Sequence, residues 1–247
     1  MDNFLEGIYN YCDRWCEKCN YTERCATFSA SEKNFPSDNP LSNPKEFFEQ
    51  LRKIFEETKK MLDEKLEEFS IEEIPQEDLL EAEQIQKSID EKIEANPLIL
   101  EARKYSDLVQ LWFDQNSEIL KRKETELNKN MLLGLHGYSM NNAQFLNEVF
   151  EVIHFYRFFI TAKVIRAFRD KYEIELNDVD AEEDMLTSAK LFLLALTRSI
   201  AAWQILYDFL PETEKSIFDM LLLLGRIRIK LQEVFPTAWE FKRPYFD

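Results

Sequence analysis

From Lys45 onward, apolar residues recur every three or four positions, and glycine almost never interrupts them. That repeat places side chains on one face of an α-helix. A chain of 247 residues with 4 Gly against 20 Phe has few positions for Gly-rich phosphate loops, turn-dense β-sandwiches or collagen-like repeats. The expectation is an all-α fold, a six-helix antiparallel bundle. Hydrophobic residues at 45% and charged residues at 32% match a folded soluble protein. The length suits one large domain, or a domain with a small appendage.

Composition separates three regions: a cysteine-rich module (1–28), a Ser-, Asn- and Pro-rich linker or strap (29–44), and the helical bundle (45–247). The first bundle helix should begin near Pro44 with Asn43 as its cap, running through Phe47, Leu51, Ile54, Met61 and Phe69. A second is expected from about Gln76 until Asn96-Pro97, where proline disfavours helical geometry in the residue before it. A third runs from Leu98 towards Leu127, and Gly134 to Asn142 reads as a loop. The fourth spans Ala143 to Tyr172. Asp180 and Glu183 match a capping box ahead of the fifth, Asp184 to Leu210, the most apolar and therefore central one. Pro211 opens the sixth, to about Val234, and the tail docks through Trp239, Phe241 and Tyr245.

Charge and residue counts exclude several chemistries. The net charge of −16 disfavours a nucleic-acid surface, which needs a cationic face. Two histidines rule out chemistry built on several. Met1-Asp2-Asn3 is acidic where a secretory signal needs Lys or Arg. Leu191 to Leu210 carries Arg198, Gln204 and Asp208, which are costly at a bilayer centre, so no membrane is expected. A cytoplasmic, reducing location follows as the expectation, where clustered cysteines serve as metal ligands more often than as disulfides.

The chain's four cysteines are Cys12, Cys16, Cys19 and Cys25, spaced x3, x2 and x5. Asn3 is placed to cap a short helix carrying Ile8, Cys12, Cys16 and Cys19 on one face, with Cys25 returning from the next turn. On an unbroken helix Cys12 and Cys16 lie about 6 Å apart along the axis, and Cys12 and Cys19 about 10.5 Å. One tetrahedral zinc needs sulfurs within roughly 4 Å of one another, so a regular helix cannot offer all three. A [4Fe-4S] cluster spreads its ligands more widely, yet it too needs the helix to unwind near Cys19. Zinc and a [4Fe-4S] cluster both remain open. The Cys-x3-Cys-x2-Cys portion resembles the triad of radical S-adenosylmethionine enzymes. Those carry it on a loop of a β/α barrel, and a strandless, glycine-poor chain excludes that identification.

Glu151 and His154 match the Glu-x-x-His element of ferritin-like di-iron bundles, as a second candidate metal site. The pattern is half missing: His136 has Leu133 where the glutamate belongs, and nothing in the spacing selects Glu148, Glu101 or Asp107. Arg198 reads as an arginine on the solvent edge of its apolar helix. Arg226, Arg228 and Lys230 complement the dipole near a helix C-terminus. Glu46 to Glu94 holds 17 acidic against 7 basic residues, a solvated face that also offers a surface to a basic protein partner. No nucleophile–base pair or phosphate loop has a recognisable spacing. The leading expectation is a metal-binding helical-bundle protein whose four-cysteine site is structural or regulatory. An iron–sulfur or ferritin-like oxidoreductase, and an interaction module whose cysteines merely pack, are the alternatives.

Overall fold

The computed structural model describes residues 3–35, 43–69, 75–134, 136–176 and 181–247. Among these the secondary structure is helical, without a strand. Among the described residues there are eight α-helices, seven of them (α2–α8) in the stretch where six were expected: α1 (Ala26–Asn34), α2 (Pro44–Phe69), α3 (Gln76–Ala95), α4 (Pro97–Gln115), α5 (Ser117–Leu132), α6 (His136–Ile174), α7 (Ala181–Phe209) and α8 (Glu214–Val234). Short 3-10 turns cover Ile8–Asn10, Cys16–Lys18, Thr22–Arg24 and Pro211–Thr213.

Two compact units are resolved, Met1–Ile85 and Gln86–Asp247. The division falls inside α3, whereas composition alone grouped residues 45–247. In the second unit α7 packs against α6 and α8, α4 lies against α6 and α8, and α5 lies on α6. The central place expected of the most apolar helix is observed. Phe192, Leu196, Trp203 and Leu206 of α7 are buried against a core that includes Tyr105, Ile153, Ile160, Leu224 and Ile227. Fully burying one such side chain contributes about 1.5–3 kcal/mol. By length and composition α7 also passes as a membrane span, and 61% of that apolar window is buried within the protein.

Helix ends follow local chemistry where the chain offers it. The Asn43 side chain accepts from the Glu46 N–H at 2.9 Å. Asn96 caps α4 by accepting from Leu98 and Ile99 N–H groups, with Pro97 in the first turn. The single third helix of the sequence reading is two. Asn116 ends α4, its N–H and its side-chain amide both donating to the Trp112 carbonyl, and α5 begins at the next residue.

Other boundaries are corrected. α6 starts at His136, so most of the expected 134–142 loop is helix, because its residues extend the α6 ladder instead of turning the chain. Ser29 to Asn34 of the expected linker lie in α1, and residues 36–42 are outside the described residues. Asp180 of the proposed capping box is also outside them. Pro211 opens a 3-10 turn, and α8 follows at Glu214.

The C-terminal segment docks through smaller contacts than expected. Phe235 and Ala238 are buried, the Phe235 ring meeting Phe168 at 5.3 Å, while Trp239 and Tyr245 stay partly exposed. Lys190, buried in the apolar α7, donates to the Trp239 carbonyl and lies 4.5 Å from the Trp239 ring centroid. Burial pushes the Lys190 ammonium below its ordinary value, against the attraction of Asp247.

Candidate four-cysteine site

The Asn3-capped helix through Cys19 is not formed. Three 3-10 turns with extended links take its place, because this segment buries only Ile8 and has no apolar face to hold a regular helix against. A non-local bond helps close the loop, from the Leu5 N–H to the Arg24 carbonyl at 2.9 Å. Gly7 at φ 66° starts the first turn in the left-handed region that favours glycine.

Each cysteine then occupies a turn end. Cys12 follows the first turn, its thiol donating to the Tyr9 carbonyl at 3.6 Å. Arg14 sits at φ 61°, a left-handed conformation costing a non-glycine residue on the order of 1–3 kcal/mol. Cys16 opens the second turn, closed by the Cys19 N–H donating to the Cys16 carbonyl at 3.1 Å. The Cys19 sulfur accepts from the Tyr21 N–H at 3.4 Å. Cys25 closes the third turn and caps α1, its sulfur accepting from the Phe28 N–H at 3.5 Å. Two of the four sulfurs, those of Cys19 and Cys25, therefore receive backbone N–H donors, the arrangement that suits an anionic acceptor.

All four thiols are unpaired and only partly buried. Burial is the main cause pushing the Cys12 thiol up, with Asp13 and Cys25 adding and the Arg14 N–H opposing. Cys16 is pushed up by burial and then by the charges of Cys12, Cys19 and Cys25 together. The four sulfurs thus lie within electrostatic reach of one another. Among the described residues no three His, Cys, Asp or Glu side chains stand close enough to form a ready-made metal shell. Half-buried Trp15, Tyr21 and Phe28 flank the cluster. Arg14 carried no sequence signal, since its role comes from backbone conformation rather than residue type.

The second candidate is not assembled. Glu151 and His154 lie on the exposed face of α6, and His154 stacks on Phe113 at 4.2 Å. Burial, then Arg157, lowers the His154 pKa. Glu101 pairs with Lys230 at 2.9 Å, and Glu148 and Asp107 are exposed. Arg198 is exposed as expected and donates to the Tyr156 hydroxyl.

A cavity of about 390 Å³ opens between α5 and α6, with Leu127, Leu146, Phe150 and Leu210 among its apolar walls and Lys121 and Lys123 at its rim. Both lysines pair within α5, Lys121 with Glu118 and Lys123 with Glu126. No family model, curated protein or solved structure matches this chain.

Proposed function

We infer that residues 3–35 are a thiolate metal module, with Cys12, Cys16, Cys19 and Cys25 as ligands to one zinc ion in a structural or regulatory role. The observation that carries the reading is the turn geometry of the segment, which sets Cys16, Cys19 and Cys25 at the ends of short turns with backbone N–H groups donating to the Cys19 and Cys25 sulfurs. Four soft sulfurs in one short segment, two of them served by backbone N–H donors, suit a thiolate-binding metal. Replacement of a regular helix by short 3-10 turns removes the rigid helical spacing that opposed a single zinc, so that binding the ion would draw the sulfurs together. Drawing the sulfurs together on the ion would supply the cross-link that a segment burying only Ile8 lacks.

The bundle then serves as a scaffold or partner surface. Packing as small hydrophobes fits less well, because all four cysteines are partly exposed and none belongs to a core. The test is elemental analysis with a visible spectrum on anaerobically purified protein. One colourless zinc per chain is expected, lost in Cys16→Ser together with N-terminal order but without loss of bundle helicity. Four irons with sulfide and broad visible absorbance would move the reading to an electron-transfer cluster. Freshly reduced protein without stoichiometric metal would overturn it.

A further inference from the structure

Helix α2 carries a large apolar strip that the fold leaves exposed. Phe47, Phe48, Phe55, Met61, Leu62 and Leu66 recur at helical spacing along its 26 residues and are 40–66% exposed. No α2 residue with a described side chain is buried. At about 200 Å² for each large side chain, these exposures amount to roughly 650 Å² of apolar surface. Monomers rarely show contiguous apolar patches above a few hundred Å². A standard interface takes about 800 Å² from each partner, so this strip nearly supplies one half of a stable dimer.

Charge identifies the occupant. Residues 44–69 hold six basic and eight acidic side chains, close to neutral in a chain of net charge −16. Both signs interleave along the polar face, and Arg52–Glu56 and Lys60–Glu64 pair within the helix. A strongly basic or acidic partner finds no complementary field here. Two copies of this helix, each carrying a net charge of only −2 with both signs interleaved, meet with little like-charge repulsion, and a twofold interface requires one patch that complements itself.

We propose that α2 is a homodimerisation helix, the strip on one chain packing against the same strip on a second copy. Sedimentation equilibrium on the full chain tests this. Wild type is expected at twice the 29.5 kDa chain mass in the micromolar range. Phe55→Glu and Leu62→Glu should each weaken self-association by about tenfold to a hundredfold, with far-UV dichroism unchanged because both positions are exposed. Phe158→Glu, at an exposed position on α6, should leave the dimer intact. A wild-type monomer across that range, or a dimer that survives both α2 variants, overturns the proposal.

Discussion

The Trp203 indole N–H donates to the Tyr105 hydroxyl at 3.0 Å, joining α7 to α4 where both side chains are fully buried. Burial pushes the Tyr105 phenol up to about 12, so it remains a neutral partner across the ordinary pH range. Tyr105→Phe would strand the indole donor in the core. The expected loss is about 1–3 kcal/mol, read as a lower urea midpoint with an unchanged denaturant slope. No shift in midpoint would mean that the bond contributes nothing net.

Asn96 both caps α4 and donates to the Tyr172 hydroxyl at 3.1 Å. Asn96→Ala should cost about 1 kcal/mol or somewhat more, and Asn96→Asp, which keeps the accepting oxygen, clearly less. Thermal unfolding of the two variants side by side separates the cap from the tyrosine bond.

Asp170 is 7% exposed, one of its oxygens has no hydrogen-bond partner, and Arg166 stands 3.9 Å away. Burial raises its pKa to about 6, against the pull of Arg166 and helped by Asp184 and Glu173. Because that value lies above an unfolded carboxyl at about 3.9, the folded chain binds the proton more tightly. Stability from this group is present below about pH 4 and is lost as pH rises to about 6. Above that window the buried charge costs about 1–3 kcal/mol. Asp170→Asn should be the more stable protein at neutral pH and should flatten the stability profile between about pH 4 and 6. An unchanged profile in urea titrations at several pH values would refute this.

Cys12 and Cys16 are held above the ordinary thiol value by burial and neighbouring charge. Without metal both are protonated at neutral pH, so zinc must displace their protons. Apparent affinity should therefore fall about a hundredfold per pH unit from these two groups alone as pH drops below neutral. Calorimetry in buffers of different ionisation enthalpy counts the protons; fewer than two released per zinc contradicts the assignment.

The helices were legible where a local residue decides an end or a face. Asn43 and Asn96 are caps that act within three residues, and the apolar character of α7 demands burial wherever it lies. The α6 start and the division at Asn116 were not legible. Nothing in the 134–142 composition distinguishes a glycine-bearing loop from a glycine-tolerant helix. Asn116 leaves helical backbone geometry (φ −105°, ψ 11°) while its side-chain amide adds a second donor to the Trp112 carbonyl, although the apolar repeat continues across it.

The same contrast divides the cysteine segment. Sequence alone determined that four cysteines sit within fourteen residues of an otherwise helical, cysteine-free chain. Periodicity then suggested a helix, because spacing reports which side chains share a face if a helix forms, not whether anything stabilises it. Only tertiary structure decided that the segment turns instead. The Leu5–Arg24 bond and the left-handed backbone of Arg14 are set by closing the loop on itself, and no local pattern encodes a contact between residues nineteen apart.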